Sequence, residues 1–317
     1  MEQELFNKLL DRLSNNYSLK TIFHLNTDDR IELGDKINRK CRFCGKQKPE
    51  VKFKQKAHAI PELIGNKTLI SMYECDNCNA HFCKIETHFA NYMSLFHTLA
   101  QVWGKRGIPA YKPSSLEKSH IKIADTGLHI EQYENDPKLF EIDKNTNTLK
   151  CRGVRSYIPA IVHKCLIKMA LSIMPGSEMI FFVKTIEWLN ENIGQPRYKM
   201  NNLPVSFSIY PGPRPFPFPT VAIFIRKNDL KNVPYALFLL AYSNFVFQTF
   251  IPLCERDLKY KKTNISMPYI PNPLDVTNIT PQISHLDFAS TEWIKKEKVA
   301  VTLKYDSIAD NPIISAD

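Results

Sequence analysis

Residues 57–66, AHAIPELIGN, lie between two Cys-x-x-Cys pairs, CRFC at 41–44 and CDNC at 75–78. Four cysteines can bind a metal whatever separates them, so the enclosed stretch decides what this segment is for. A Cys-x-x-Cys turn sets two sulfurs at neighbouring corners of a tetrahedron, and two such turns complete a four-thiolate zinc shell. Cys41, Cys44, Cys75 and Cys78 are therefore expected to hold a structural Zn2+. Such a shell has no open position, so the metal contributes folding energy and geometry rather than chemistry. Within the clamp, VKFKQKAHAIP reads as a strand ending at His58 and ELIGNKT as a turn. TLISMYE then reads as a return strand, and CDNCNAHF opens a helix.

The runs CRFCGK, AHAIPELIGNK and YECDNCNAHF, with the Ile-Glu that follows, resemble the HNH endonuclease family. The resemblance is to the variant with two zinc-binding knuckles and an H-x-I-P-E-x-x-G-N loop, and it covers residues 41 to about 93. Proteins of this kind resemble nuclease effectors of bacterial antiphage defence. The resemblance implies a treble-clef, ββα-metal unit and an enzyme that hydrolyses DNA phosphodiester bonds. It makes His58 the general base, Asn79 a ligand of a catalytic Mg2+ or Mn2+, and Asn66 the asparagine that steadies the loop. Glu86 lies seven residues after Asn79 on the same helical face, as a second ligand. Many members carry an acidic ligand directly before the base, where this chain has Ala57. Glu86, Glu62 and His81, in that order, are the candidates to replace it, with water completing the shell.

The residue types suit the chemistry. Phosphodiester hydrolysis needs an activated water, and a histidine of ordinary pKa is partly neutral near pH 7 and accepts its proton. A hard cation at the phosphate acts as a Lewis acid. Lys52, Lys54 and Lys56 alternate along the incoming segment, so they share a face that can meet backbone phosphates. The plainer readings are a solvated lysine face and Asn79 as a helix N-cap. The rival to an enzyme is a non-catalytic zinc module that binds nucleic acid or senses a ligand.

Composition is compatible with both. The chain of 317 residues is 44% hydrophobic and 23% charged, as in a globular protein, and its net charge of +10 leans towards an anionic partner, DNA first. Four of the eight cysteines are scattered, Cys83, Cys151, Cys165 and Cys254, and are expected as small buried hydrophobes. The N-terminal MEQELFNKLLDRL reads as an amphipathic helix rather than a secretory signal, and a cytoplasmic location is expected. The apolar run 234–253 is interrupted by Ser243-Asn244, Gln248, Thr249 and Pro252. It is expected to form two buried strands with a tight turn, not a membrane span.

The expected organisation is α+β. Residues 1–40 read as a helix and polar connector, 41–110 as the nuclease unit, and 118–317 as a larger mixed α+β domain. Pro159 is expected in a first helical turn, Ser177 as an N-cap and Gly194 as a helix stop. PGPRPFPFP at 211–219 is expected to be extended and polyproline-like, a plain rigid connection first, with presentation of Arg214, Phe216 and Phe218 to a partner as the lesser reading. The second domain is expected to position DNA, dimerise the protein, or respond to an activating ligand or a defence partner. One HNH unit cuts one strand, which favours a homodimer.

Overall fold

The computed structural model describes residues 3–26, 29–113, 116, 118–193, 195–229, 232–260 and 267–306. Helix α1 (Gln3–Asn16) runs straight into strand β1 (Tyr17–His24), and β2 (Ile31–Leu33) follows. Strand β3 (Leu69–Ser71) precedes the long helix α2 (Asp76–Leu99). Then come β4 (His120–Ala124), β5 (Gly127–Glu131), β6 (Phe140–Asp143) and β7 (Thr148–Tyr157). Helices α3 (Pro159–Ile173) and α4 (Val183–Leu189) lead to β8 (Pro204–Ile209), β9 (Phe216–Arg226), β10 (Ala236–Ser243) and β11 (Phe245–Phe250). Strands β12 (Gln282–Asp287) and β13 (Ile294–Lys304) complete a mixed α+β fold.

Six strands form one antiparallel sheet in the order β1-β9-β10-β11-β8-β12. The apolar run is its centre: β10 and β11 pair through a turn at Ser243, whose φ is 51°. Side chains alternate across a strand, so an uninterrupted apolar run means that both faces are covered. Phe238, Leu240 and Tyr242 join the main core with α2 and α3, whereas Leu237, Leu239 and Ala241 pack with Leu13 and Tyr17 on the opposite face. No described helix is long and apolar enough to cross a membrane.

Helix α3, with Pro159 in its first turn, is buried along its whole length. It lies between the sheet and α2, which puts Phe82, Ile85, Phe89 and Met93 into the same core. Leu95, further along α2, packs with Tyr111, Ile121, Leu139 and Cys151 beside the β4–β5 hairpin and the sheet β13-β7-β6.

Several local expectations change. Residues 17–24, ahead of the polar connector, form β1, an edge strand paired with β9 whose half-exposed alternation gives little hydrophobic signal, and the connector itself contains β2. Phe216–Pro219 belong to β9, where Phe216 pairs with Ser243 across a register shift that accommodates residues lacking N–H groups. Ser177 lies inside a 3-10 turn, Gly176–Phe182, preceded by Pro175, so it is not an N-cap. Cys83 is exposed, although Cys151, Cys165 and Cys254 are buried. Gly194 lies outside the described residues.

Buried histidines make the fold acid-sensitive. His97 bonds the Tyr242 hydroxyl at 2.9 Å and His163 that of Thr249 at 3.0 Å; burial pulls both pKa values down to about 3. Their unfolded values lie near about 6.5, so the unfolded chain takes up the protons first. Stability contributed by the neutral rings is complete above that pH and is lost as pH falls towards 3. The expected loss approaches about 1.4 kcal/mol per pH unit for each ring. Urea midpoints between pH 7 and 4 should fall, and less so in His163→Gln.

Candidate functional site

Two turns bring the four cysteines together. In the first knuckle Gly45 adopts a φ of 72°, and its N–H donates to the Cys41 carbonyl at 2.9 Å. The second knuckle opens α2, with Cys75 immediately before the helix and Cys78 in its first turn. All four sulfurs lie within 4.8 Å of one another, and Cys44 and Cys75 are 3.7 Å apart. Tetrahedral sulfurs about 2.3 Å from zinc stand about 3.8 Å apart, so the set fits a zinc shell. The Cys78 thiol donates to the Cys41 sulfur and pulls its pKa down to about 5. That same bond, then burial, pushes Cys78 up, and burial pushes Cys75 up to about 11. Four thiols this close need a cation among them to ionise together, which is what zinc supplies.

The knuckle is fastened to the rest of the molecule. Arg42, between the two cysteines, stacks on Tyr73 at 4.0 Å and donates to the carbonyls of Leu171, Ser172 and Met174. Those carbonyls belong to the C-terminal end of α3, where helical bonding leaves acceptors free and a cation is favoured. Asn190 donates to the Phe43 carbonyl at 2.6 Å.

The loop closes on a short antiparallel bridge. Ala59 N–H donates to Leu69 O at 3.1 Å, Ser71 N–H to Ala57 O at 2.9 Å, and His58 stands opposite Ile70. Asn66, fully buried, spans the turn: its amide donates to the carbonyls of Ile60 and Leu69, and its oxygen accepts from the N–H groups of Thr68 and Leu69. Every polar atom of its side chain is thus spent on loop geometry. The approach to His58 is no strand. Lys52, Lys54 and Lys56 are exposed while Val51 and Phe53 are buried. Asp76 holds this segment, donating its N–H to Lys52 O and accepting from Gln55 N–H, both at 2.9 Å. A helix start, not a sheet ladder, takes up its backbone groups.

His58 sits in a charged setting. Its side chain is 12% exposed, with Nδ1 3.7 Å from Glu62 and Nε2 buried without a hydrogen-bond partner. Burial, reinforced by Lys56, Lys168 and Lys105, holds its pKa below the ordinary histidine value against the pull of Glu62. The ring is therefore neutral at pH 7. Lys168, from α3, donates to the His58 carbonyl at 2.9 Å. Its ammonium is also 3.2 Å from Glu74 and 3.6 Å from Glu86. Burial raises both carboxyl pKa values, Glu74 to about 7. Lys168 stays charged because the two carboxylates outweigh its own desolvation.

The structure does not gather the expected ligands equally. Asn79 lies in the first turns of α2 but is not its N-cap, and its amide donates to Gln55 at 3.0 Å. Glu86 faces Lys168 rather than His58, whereas Glu62 contacts His58 directly. His81 is taken by the Leu189 carbonyl at 2.9 Å. Among the described residues, the four cysteines are the one His/Cys/Asp/Glu group that converges tightly enough to hold a metal. The carboxylate in contact with His58 is Glu62 at 3.7 Å, while Glu74 Oε2 is occupied by the Lys168 ammonium at 3.2 Å.

Lys168 and Glu74, packed behind the His58 loop, belong to the candidate site and are not singled out by the sequence. The available signal is two lysines, Lys164 and Lys168, one turn apart inside a helix whose only other polar residues are His163 and Ser172. Lys164 is also buried and pairs with Glu191 at 3.3 Å. Lys168→Met is expected to strand Glu74 and Glu86 and cost about 3–5 kcal/mol. Adding Glu74→Gln should recover part of that loss in urea unfolding.

A family model described as HNH endonuclease matches residues 41–94, about a sixth of the chain. No curated protein and no solved structure matches the chain.

Proposed function

We infer that this HNH segment is a DNA endonuclease site in which His58 is the general base. The observation carrying the reading is the neutral, half-buried imidazole, flanked by Lys56, Lys105 and Lys168 on a loop that the zinc knuckles clamp. We read the short hairpin and α2 together as a ββα-metal unit of treble-clef type.

His58 takes a proton from the attacking water, a role worth roughly 10²- to 10⁴-fold in rate. Asn66 fixes the loop that carries it. Lys56 and Lys105 offer positive charge where the phosphate gathers negative charge, and Lys52 and Lys54 extend that surface along the DNA backbone. A Mg2+ or Mn2+ ion held by Asn79 and Glu86 would supply Lewis-acid stabilisation of the phosphoryl oxygens. Binding it would mean that Asn79 leaves Gln55 and Glu86 shares or leaves Lys168.

We place the protein in bacterial antiphage defence and in the cytoplasm, which rests on the resemblance of residues 41–93 to such effectors. Cutting both strands calls for a second copy, and licensing calls for a partner protein or activating ligand. The test is supercoiled plasmid incubated with purified zinc-loaded protein, with and without added Mg2+ or Mn2+. Nicked circles that need the metal are the expected product. Two observations favour a non-catalytic, nucleic-acid-binding reading: Ala57 in place of an acid, and Lys168 beside Glu86. That reading gains if plasmid stays intact while DNA is bound and released by high salt.

A further inference from the structure

The loop also walls a cavity of about 350 Å³ whose lining does not include His58. Gly65 and Lys67 form one side, Trp103 another, and Arg214, Phe216 and Phe218 the third. That volume falls near the lower end of the ~300–1,000 Å³ typical of small-molecule sites. The proline-rich run 211–219, which does nothing for hydrolysis, contributes its arginine and both phenylalanines here.

The lining has two kinds of group. Trp103 is 53% exposed, an unusual state for so large an apolar ring, and the Lys67 ammonium stands over it, 5.7 Å from the ring centre. Phe218 is fixed edge-on by His24 at 6.1 Å, and Phe216 by Tyr210 at 5.3 Å. Arg214, held in a left-handed conformation with φ 47°, donates to the Gln101 carbonyl at 3.1 Å and lines the cavity. Flat aromatic walls with two cations at the edge suit one chemistry above others: a planar, π-rich ring carrying an anionic group.

The cavity is coupled to the proposed catalytic residue by a short path. His58 faces Glu62 at 3.7 Å, Glu62 faces Lys105 at 3.9 Å, and Lys105 lies two residues from Trp103 in a turn closed between Gly104 and Gly107. Gly65, with φ 95°, leaves the loop backbone close to Pro219 and to the Trp103 carbonyl. We propose that this cavity binds a nucleotide unit, the base stacked on Trp103 and its phosphate on Lys67 and Arg214. The source favoured by the path is an unstacked base of the strand that crosses His58, and the inference to that extent rests on the endonuclease reading. A free nucleotide shares the chemistry.

The probe is a fluorescent single strand of about 12 nucleotides, within the site sizes of such proteins, measured by anisotropy with no Mg2+ or Mn2+ added so that binding is read apart from cleavage and the zinc shell stays filled. An abasic strand of equal length and free dAMP serve as the other arms. Trp103→Ala is expected to weaken binding of the normal strand about 10-fold. The abasic strand should bind wild type about as weakly and ignore the substitution, and Trp103→Phe should recover most of the affinity. Arg214→Gln should weaken all strands and flatten the salt dependence. If dAMP binds in a Trp103-dependent manner while the strand does not, the cavity takes a free nucleotide. Equal affinity of wild type and Trp103→Ala for every probe overturns the proposal. Trp103-dependent binding without plasmid cleavage would leave the cavity standing and remove the nuclease reading; cleavage without that dependence would do the reverse.

Discussion

His58→Ala protein is expected to leave plasmid supercoiled under conditions in which wild type nicks it, a loss of roughly 10²- to 10⁴-fold in rate. Stability should change little in the same variant. The backbone carbonyl that Lys168 binds survives the substitution, as does the pairing of residues 57–59 with 69–71. The imidazole itself makes no hydrogen bond that holds the fold together: Nε2 has no partner, and Nδ1 stands 3.7 Å from Glu62. A urea midpoint close to wild type, with cleavage gone, is therefore the outcome that separates chemistry from folding. Nicking that persists at the wild-type rate in His58→Ala would remove the proton-acceptor role altogether.

The second large effect belongs to the cysteines. Cys75→Ser, or stripping the metal with a strong chelator, is expected to unfold the segment around the loop. Structural zinc sites of this kind return about 10–16 kcal/mol in peptides that have little other core. This segment shares its core with α3, so the loss should be smaller but still exceed that of any other single change described above. Zinc content near one per chain, falling to zero in Cys75→Ser together with the far-ultraviolet helix signal of α2, is the expected result. One internal comparison sharpens it. Cys83→Ser, on an exposed residue outside the shell, should keep both metal and helix. A chain that keeps its helix and plasmid nicking without zinc would contradict the staple role of the four sulfurs.

Much of this molecule is legible in its amino-acid order alone. Pairs of cysteines at fixed spacing, the periodicity of α2, and the apolar run that forms β10 and β11 each carry a local signal, and each element lies where that signal puts it. What is not legible depends on contacts far apart in the chain. Strand β1 carries little signal because an edge strand with one face towards water needs few apolar residues. Residues 51–56 resemble a strand because buried Val51 and Phe53 alternate with lysines, but Asp76, more than twenty residues on, claims the backbone groups that a ladder would need. Lys168 shows the limit most plainly. Its meaning comes from Glu74, Glu86 and the His58 carbonyl, and no spacing along the chain announces a neighbour 110 residues away.

Arg42 has a consequence of its own. One guanidinium, seated inside the metal turn, gathers the three carbonyls at the end of the helix that also carries Lys168. Withdrawal of zinc thus loosens both the histidine loop and the scaffold behind it. On the endonuclease reading, losing the metal and losing the proposed hydrolytic site would then be a single event.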